Sequence, residues 1–166
     1  MNENIDLPDG AVLRRAERRD LPEILQRIAD LAEYEREPDA VETTADDLDT
    51  ALFGPDPAVF AHVVESEGRV AGIAVWFLNF STWTGRHGIY LEDLYVDPAS
   101  RGRGYGKALL RELARLCAER GYARIEWSVL EWNTPSIAFY DALGAVPMDE
   151  WVGYRLSGPA LRSLGP

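Results

Sequence analysis

The sequence predicts one α/β (α+β) domain over residues 11–166, preceded by a flexible tail at residues 1–10, and three observations carry that reading. The chain has 166 residues, enough for one full hydrophobic core. Short strand patterns alternate with helical patterns in the order β–α–α–β–β–β–α–β–α–β–β. A basic, glycine-rich loop separates the fourth strand from the helix that follows it.

Taken in order, residues 11–15 (AVLRR) read as a first strand. Asp20 is placed to cap the next helix, with Pro22 in the first turn and Glu23 at the capping-box position. Leu21, Ile24, Leu25, Ile28 and Leu31 recur at helical spacing, so that helix runs to about Tyr34. Thr43 or Thr44 caps a second short helix carrying Leu48 and Leu52, and residues 54–57 (GPDP) stop it. Residues 60–66 and 69–80 read as a hairpin turning at Gly68, and residues 79–88 as a loop. After the central strand and its loop, Leu109, Leu113, Leu116 and Cys117 form one stripe of a helix that stops at Gly121. Residues 124–130 give a further strand, Thr134-Pro135 starts a last helix to Leu143, and residues 144–148 and 152–156 read as two short closing strands.

The chemistry concentrates in residues 89–107, IYLEDLYVDPASRGRGYGK. A β-branched and aromatic strand is interrupted by Glu92 and Asp93 and ends at Asp97-Pro98, because proline has no N–H for a ladder. Gly102, Gly104 and Gly106 then lead into a helix, whose first N–H groups lack partners and carry partial positive charge. Arg101, Arg103 and Lys107 add whole charges, so the stretch suits a phosphate-bearing ligand. A nucleotide P-loop is excluded, since Arg101 and Ala108 stand where a glycine and a hydroxyl are needed. A dinucleotide fingerprint fails at Lys107, where its third glycine belongs.

Composition narrows the partners. The net charge of −11 argues against nucleic acid and favours cationic molecules. The longest mainly apolar run, residues 73–80, cannot span a bilayer, and the acidic N-terminus is unlike a leader, so a cytoplasmic, non-membrane protein is expected. Cys117 is the single cysteine and reads as a small core residue. Neither His62 nor His87 has metal-like neighbours, and no metal is expected. Residues 30–49 hold nine carboxylates against Arg36, which suits both a solvated acidic face and a wall that draws in amines.

The motif R-x-x-G-x-G formed by Arg101, Gly104 and Gly106, after a strand and before a helix, resembles the acetyl-CoA loop of the GCN5-related N-acetyltransferases. LAEYE (31–35), YLEDLYV (90–96), RGRGYG (101–106), EWNTPSIAFY (131–140) and LGA (143–145) resemble the diamine (spermidine/spermine-type) branch in order and spacing. The resemblance implies a mixed, mostly antiparallel central sheet of about seven strands flanked by about four helices, and a homodimer. It implies that the backbone of Leu94, Tyr95 and Val96 bonds the pantetheine arm of acetyl-CoA. Arg101, Gly102, Arg103, Gly104, Tyr105, Gly106 and Lys107 would hold the pyrophosphate, and Asn133 and Ser136 would touch the cofactor from the other side. Tyr34, Glu35, Glu92, Glu126, Trp127 and Ser128 would face a small-molecule amine. Val152 stands where that branch usually has an acid, with Glu150 nearby.

The catalytic roles follow from reactivity. An alkyl ammonium, with a pKa of about 10.4, must lose a proton before it attacks a thioester. Glu92, a carboxylate in an otherwise apolar strand, is either salt-bridged or functional, and suits a base acting directly or through water. Strand alternation puts Asp93 on the opposite face. Tyr140 near the sulfur, a position the resemblance implies, suits a general acid for the leaving thiolate. The expectation is an N-acetyltransferase for a small cationic, diamine-like amine. The alternatives are a lysine-like amino acid, an aminoglycoside or a protein N-terminus as acceptor, and a non-catalytic acyl-CoA-binding regulatory domain.

Overall fold

The computed structural model describes residues 4–165, which divide after Ser128 into two compact units. The first unit holds one six-stranded sheet in the order β1(Ile5–Asp6), β2(Val12–Arg15), β3(Phe60–Ser66), β4(Arg69–Ser81), β5(Arg86–Val96), β6(Ile125–Glu126). All neighbours are antiparallel except β5 and β6, which are parallel. Helices α1(Leu21–Tyr34) and α2(Ala45–Phe53) join β2 to β3, and α3(Tyr105–Arg120) joins β5 to β6. The second unit carries α4(Thr134–Ala142) and α5(Gly158–Leu164).

Two layers of side chains fix the sheet between helices. Val63, Ile73, Val75 and Tyr95 pack with Leu21 and Ile24 of α1 and with Leu48 and Leu52 of α2. On the alternate positions, a Cβ at Gly72 would lie 3.6 Å from Leu109 of α3, so the opposite face meets that helix. Leu109 and Leu113 of α3 are fully buried, as their spacing predicts. Gly121 ends α3 in the left-handed conformation, φ 69°. No helix among the described residues is long and apolar enough to cross a membrane.

Several local expectations change for non-local reasons. Asp20 makes no side-chain cap for α1; its carboxylate instead takes both ends of the buried Arg14 guanidinium, at 2.7 and 2.8 Å. Glu23 reaches across to accept from the Val70 N–H of β4 at 2.8 Å. Thr44 does cap α2, exchanging bonds with Asp47. The loop at residues 79–88 shrinks to a tight turn, because β4 runs on to Ser81 and β5 starts at Arg86. Of the ten residues expected as a tail, 1–3 lie outside the described residues, as does Pro166, and Ile5–Asp6 pairs with Val12 and Leu13.

Among the described residues the sheet has six strands rather than about seven, and five α-helices occur rather than about four. The strand expected at 124–130 is only Ile125–Glu126, and residues 144–156 form no strand. Gly144, Pro147 and Gly153 break the apolar alternation of that closing segment into pieces too short to hold a ladder. The helix Gly158–Leu164 has no counterpart in the sequence pattern.

Candidate active site

The glycine-rich loop is built from the end of β5. Asp97 accepts from the Ala99 N–H at 3.0 Å, closing a short turn over Pro98–Ser100. Arg27 of α1 donates to the other Asp97 oxygen at 2.7 Å. The Ala99 N–H, and then Arg27, hold the Asp97 carboxyl below its usual range. Gly102 and Gly104 follow at φ 79° and 84°, a region that favours glycine. The first intrahelical bond of α3 runs from the Ala108 N–H to the Gly104 carbonyl. The N–H groups of Tyr105, Gly106 and Lys107 are therefore left without intrahelical acceptors. This geometry fits an anion.

The loop's side chains divide by role. Arg103 and Lys107 are exposed. Arg101 folds back, its Nε donating to the Val96 carbonyl at 3.1 Å. Its guanidinium lies over the rings of Tyr34 and Tyr95, at 5.4 and 5.6 Å. Tyr105 is a core residue instead: its side chain is buried and its hydroxyl donates to Asp9 at 2.6 Å. Only its backbone N–H is left to serve a ligand.

Beside the loop, β5 has an open edge. Its pairing with β6 covers only Ile89 and Tyr90, so among the described residues the edge at 91–96 has no strand on that side. Leu94, Tyr95 and Val96 lie along this edge. Extended chains carrying amides can bond such an edge as an added strand.

The register of β4 and β5 slips between Val75 and Trp76: Val75 faces Asp93, and Trp76 faces Leu91. Glu92 is the extra residue of a β-bulge, which breaks alternation. Asp93 therefore shares the face of Val75 and Tyr95, next to α1, and the simple alternation argument against it fails. Burial, then the charges of Glu92 and Glu35, raise the Asp93 carboxyl to about 6. Glu35, at the end of α1, is itself pushed up by burial. Among the described residues, no Arg or Lys forms an ion pair with Glu35, Glu92 or Asp93. The sequence alone does not single out Asp93, because a bulge depends on a distant register.

Glu126 differs from these carboxylates. One of its oxygens accepts from Asn79 Nδ2 at 2.7 Å and Arg124 Nε at 2.8 Å. Its charge is already matched. Trp127 beyond it is half-buried, and the Ser128 hydroxyl lies 3.0 Å from the Tyr90 hydroxyl of β5. Part of the acidic segment is likewise engaged: Asp30 pairs with Arg27, Asp49 with Arg18, and Asp47 serves the cap of α2.

In the second unit, Asn133 caps α4, its Oδ1 accepting from the Ser136 N–H at 3.3 Å. Tyr140 lies four residues after Ser136 and seven after Asn133, so the three share a helix face. The Tyr140 ring also meets Phe139, at 5.4 Å between centroids. No group of three metal-ligating side chains occurs among the described residues.

Residues 20–145 match the model of the acetyltransferase (GNAT) family. The chain is 34% identical over 166 residues to a thialysine N-epsilon-acetyltransferase of Sus scrofa, covering 93% of this chain and 97% of that one. It is 33% identical over 151 residues to a spermidine/spermine N(1)-acetyltransferase-like protein of Homo sapiens, covering 87% of this chain and 22% of the other. Among solved structures, an integron cassette protein from the mobile metagenome of V. cholerae superposes with a TM-score of 0.78 at 23% identity, over 93% of this chain and 96% of that one. A family match over most of the chain, a full-length relative and a shared fold lead to one conclusion: the chain belongs to the acetyltransferase (GNAT) family and is an acetyl-CoA-dependent N-acetyltransferase.

Proposed function

We propose that the protein moves the acetyl group of acetyl-CoA directly onto a terminal primary amine of a small, cationic molecule. The observation that carries the choice of substrate is the set Glu35, Glu92 and Asp93, which meets at the end of α1 with no cation paired to it among the described residues. A substrate ammonium supplies the missing charge. In this reading the N–H groups at the start of α3, with Arg101, Arg103 and Lys107, hold the pyrophosphate. The open edge at Leu94, Tyr95 and Val96 takes the pantetheine amides, and Asn133 and Ser136 make further cofactor contacts.

The reaction balances with the residues available. Glu92, directly or through water, takes one proton from the ammonium. The neutral nitrogen forms its bond to the thioester carbon, the carbon–sulfur bond breaks with its electron pair on sulfur, and Tyr140 protonates the leaving thiolate. Of the two protons left on the nitrogen, one restores Tyr140 and the other stays on the product amide, while Glu92 returns its proton to solvent. Cys117 is buried and its thiol is pushed up by burial, which supports direct transfer rather than an acyl-enzyme.

A lysine-like amino acid is a second reading of the acceptor, favoured by the full-length likeness to a thialysine N-epsilon-acetyltransferase. Val152, where the polyamine branch usually has an acid, weighs the same way. Both readings share a primary amine at one end of a short chain and polar charge at the other. We further propose a cytoplasmic location and, by the family resemblance, a homodimer. Mass spectrometry of the products from thialysine, lysine and 1,3-diaminopropane, each with acetyl-CoA, tests the assignment. Acetylation of the side-chain or terminal amine supports it, and acetylation of none of the three overturns it.

A further inference from the structure

We propose that Arg27 of α1 is a positioning residue for acetyl-CoA: by gripping Asp97 it fixes the start of the phosphate loop, although it stands 74 positions before Arg101 in the chain. The inference rests on the reading that residues 101–107 hold the pyrophosphate.

The geometry is that of a built clamp. The Arg27 side chain is only 11% exposed and it divides its guanidinium between two carboxylates, Asp97 at 2.7 Å and Asp30 at 2.9 Å. Burying an arginine so far is unfavourable unless its charge is matched, and here two acids match it. Asp97 in turn is the hinge of the loop. One of its oxygens holds the Ala99 N–H, its carbonyl accepts from the Ser100 N–H at 2.8 Å, and its own N–H is tied to the Ala71 carbonyl of β4 at 2.9 Å. Asp97 thus ties the point where the chain leaves β5, just before Gly102 and Gly104, to β4 and to the turn that follows.

A second contact from the same helix meets the far side of the hinge. Arg101, four residues after Asp97, lies over Tyr34, seven residues after Arg27 and so on the same face of α1. Arg27, Arg101, Asp30 and Asp97 also act on the charge balance of the Tyr95 phenol, which is raised first by burial. The helix whose end carries Glu35 therefore also sets the entrance of the cofactor loop. An ion pair of this kind orders groups that already touch the ligand, and a misplacement of about 1 Å in such groups is enough to cost a large factor in rate or affinity.

The test is steady-state kinetics with thialysine as acceptor on Arg27→Met, Asp97→Asn, their double variant and Arg27→Lys, each assayed well below its own melting temperature. The expected result is a KM for acetyl-CoA raised about tenfold or more in either single variant, a typical effect of losing a charge-assisted bond. The kcat should fall less than threefold, the double variant should match the singles, and Arg27→Lys should recover part of the affinity. Should Arg27→Met fail to fold, Asp97→Asn and Arg27→Lys decide the matter by the same KM. An unchanged KM for acetyl-CoA, with only a lowered melting temperature, overturns the proposal and leaves Arg27 as a packing residue. Gly104→Asp separates the two levels of the argument. If it abolishes acetyl-CoA binding while Arg27→Met does not weaken it, the positioning role alone is overturned; if neither weakens it, the loop reading goes as well.

Discussion

The Arg101 guanidinium lies over the Tyr34 ring, 5.4 Å from its centroid, while its Nε bonds the last carbonyl of β5. One side chain thus joins the end of α1, where the carboxylates gather, to the end of the strand that leads into the glycine-rich loop. Arg101→Ala is expected to raise the KM of both substrates. The rise should be about 10- to 100-fold for acetyl-CoA, the equivalent of roughly 1.5–3 kcal/mol for a hydrogen bond to a charged group. Initial-rate kinetics with both substrates varied would check this; a rise confined to the amine would place Arg101 on the substrate side only.

Gly104 stands at φ 84° and a Cβ there would meet nothing within 4 Å. The cost of a substitution is therefore backbone strain and charge, not crowding. Gly104→Asp combines a disfavoured φ with a negative charge where the proposed reading puts the phosphates. Saturating acetyl-CoA should raise the melting temperature of the parent, because a ligand of the folded state adds stability. The variant should show no such rise, and a parent without the rise would contradict the loop assignment.

Asp93 gives a pH prediction. Its folded carboxyl titrates at about 6, against 3.8 when unperturbed. Between those values the folded state holds a proton that the unfolded state has lost, so this group makes stability fall as pH rises from about 4 to about 6. The full penalty, of order 3 kcal/mol at most, is present above that window and absent below it. Asp93→Asn should therefore raise the melting temperature at about pH 8 and change it little at about pH 4. Amine acetylation should fall in the same variant, since the substrate loses a carboxylate. Thermal melts at the two pH values decide the first point, and equal shifts at both would contradict it.

The contrast between Gly104 and Asp93 shows what the sequence makes legible. The loop, its glycines and its charges are adjacent in the chain, and so are Thr44 with Asp47 and the stripe Leu109–Leu113; local rules suffice for these. Asp93 depends on which residue of β4 stands opposite it, and no local rule reports a bulge. Asp20 looks like a helix cap because nothing near it in sequence announces that Arg14 will take both its oxygens. Glu126 looks like a free carboxylate until Asn79, 47 positions earlier, is seen to bond it. Ile5–Asp6 reads as tail because two residues carry no period. The acids that the sequence offers are thus many, and tertiary pairing decides which ones stay available.

Tyr140 provides a test of the acid role. Tyr140→Phe removes one hydroxyl and keeps the ring contact with Phe139. Folding and the acetyl-CoA thermal shift should survive. The kcat should drop by about 10²–10⁴, the usual range for a positioned acid or base. A kcat equal to that of the parent on its best amine would make Tyr140 a packing residue.

The central claim is that Glu35, Glu92 and Asp93, paired with no Arg or Lys among the described residues, select a cationic acceptor for the acetyl group. The most direct measurement is kcat/KM for a diamine relative to a neutral-tailed monoamine of equal length, at low and at high salt, in the parent and in Glu35→Lys. The account predicts a preference for the diamine that weakens as salt rises, since exposed charges more than about 8 Å apart are screened at physiological salt. Glu35→Lys should remove most of that preference, chiefly through the KM of the diamine. Equal kcat/KM for both amines in the parent, unchanged by salt, would contradict it.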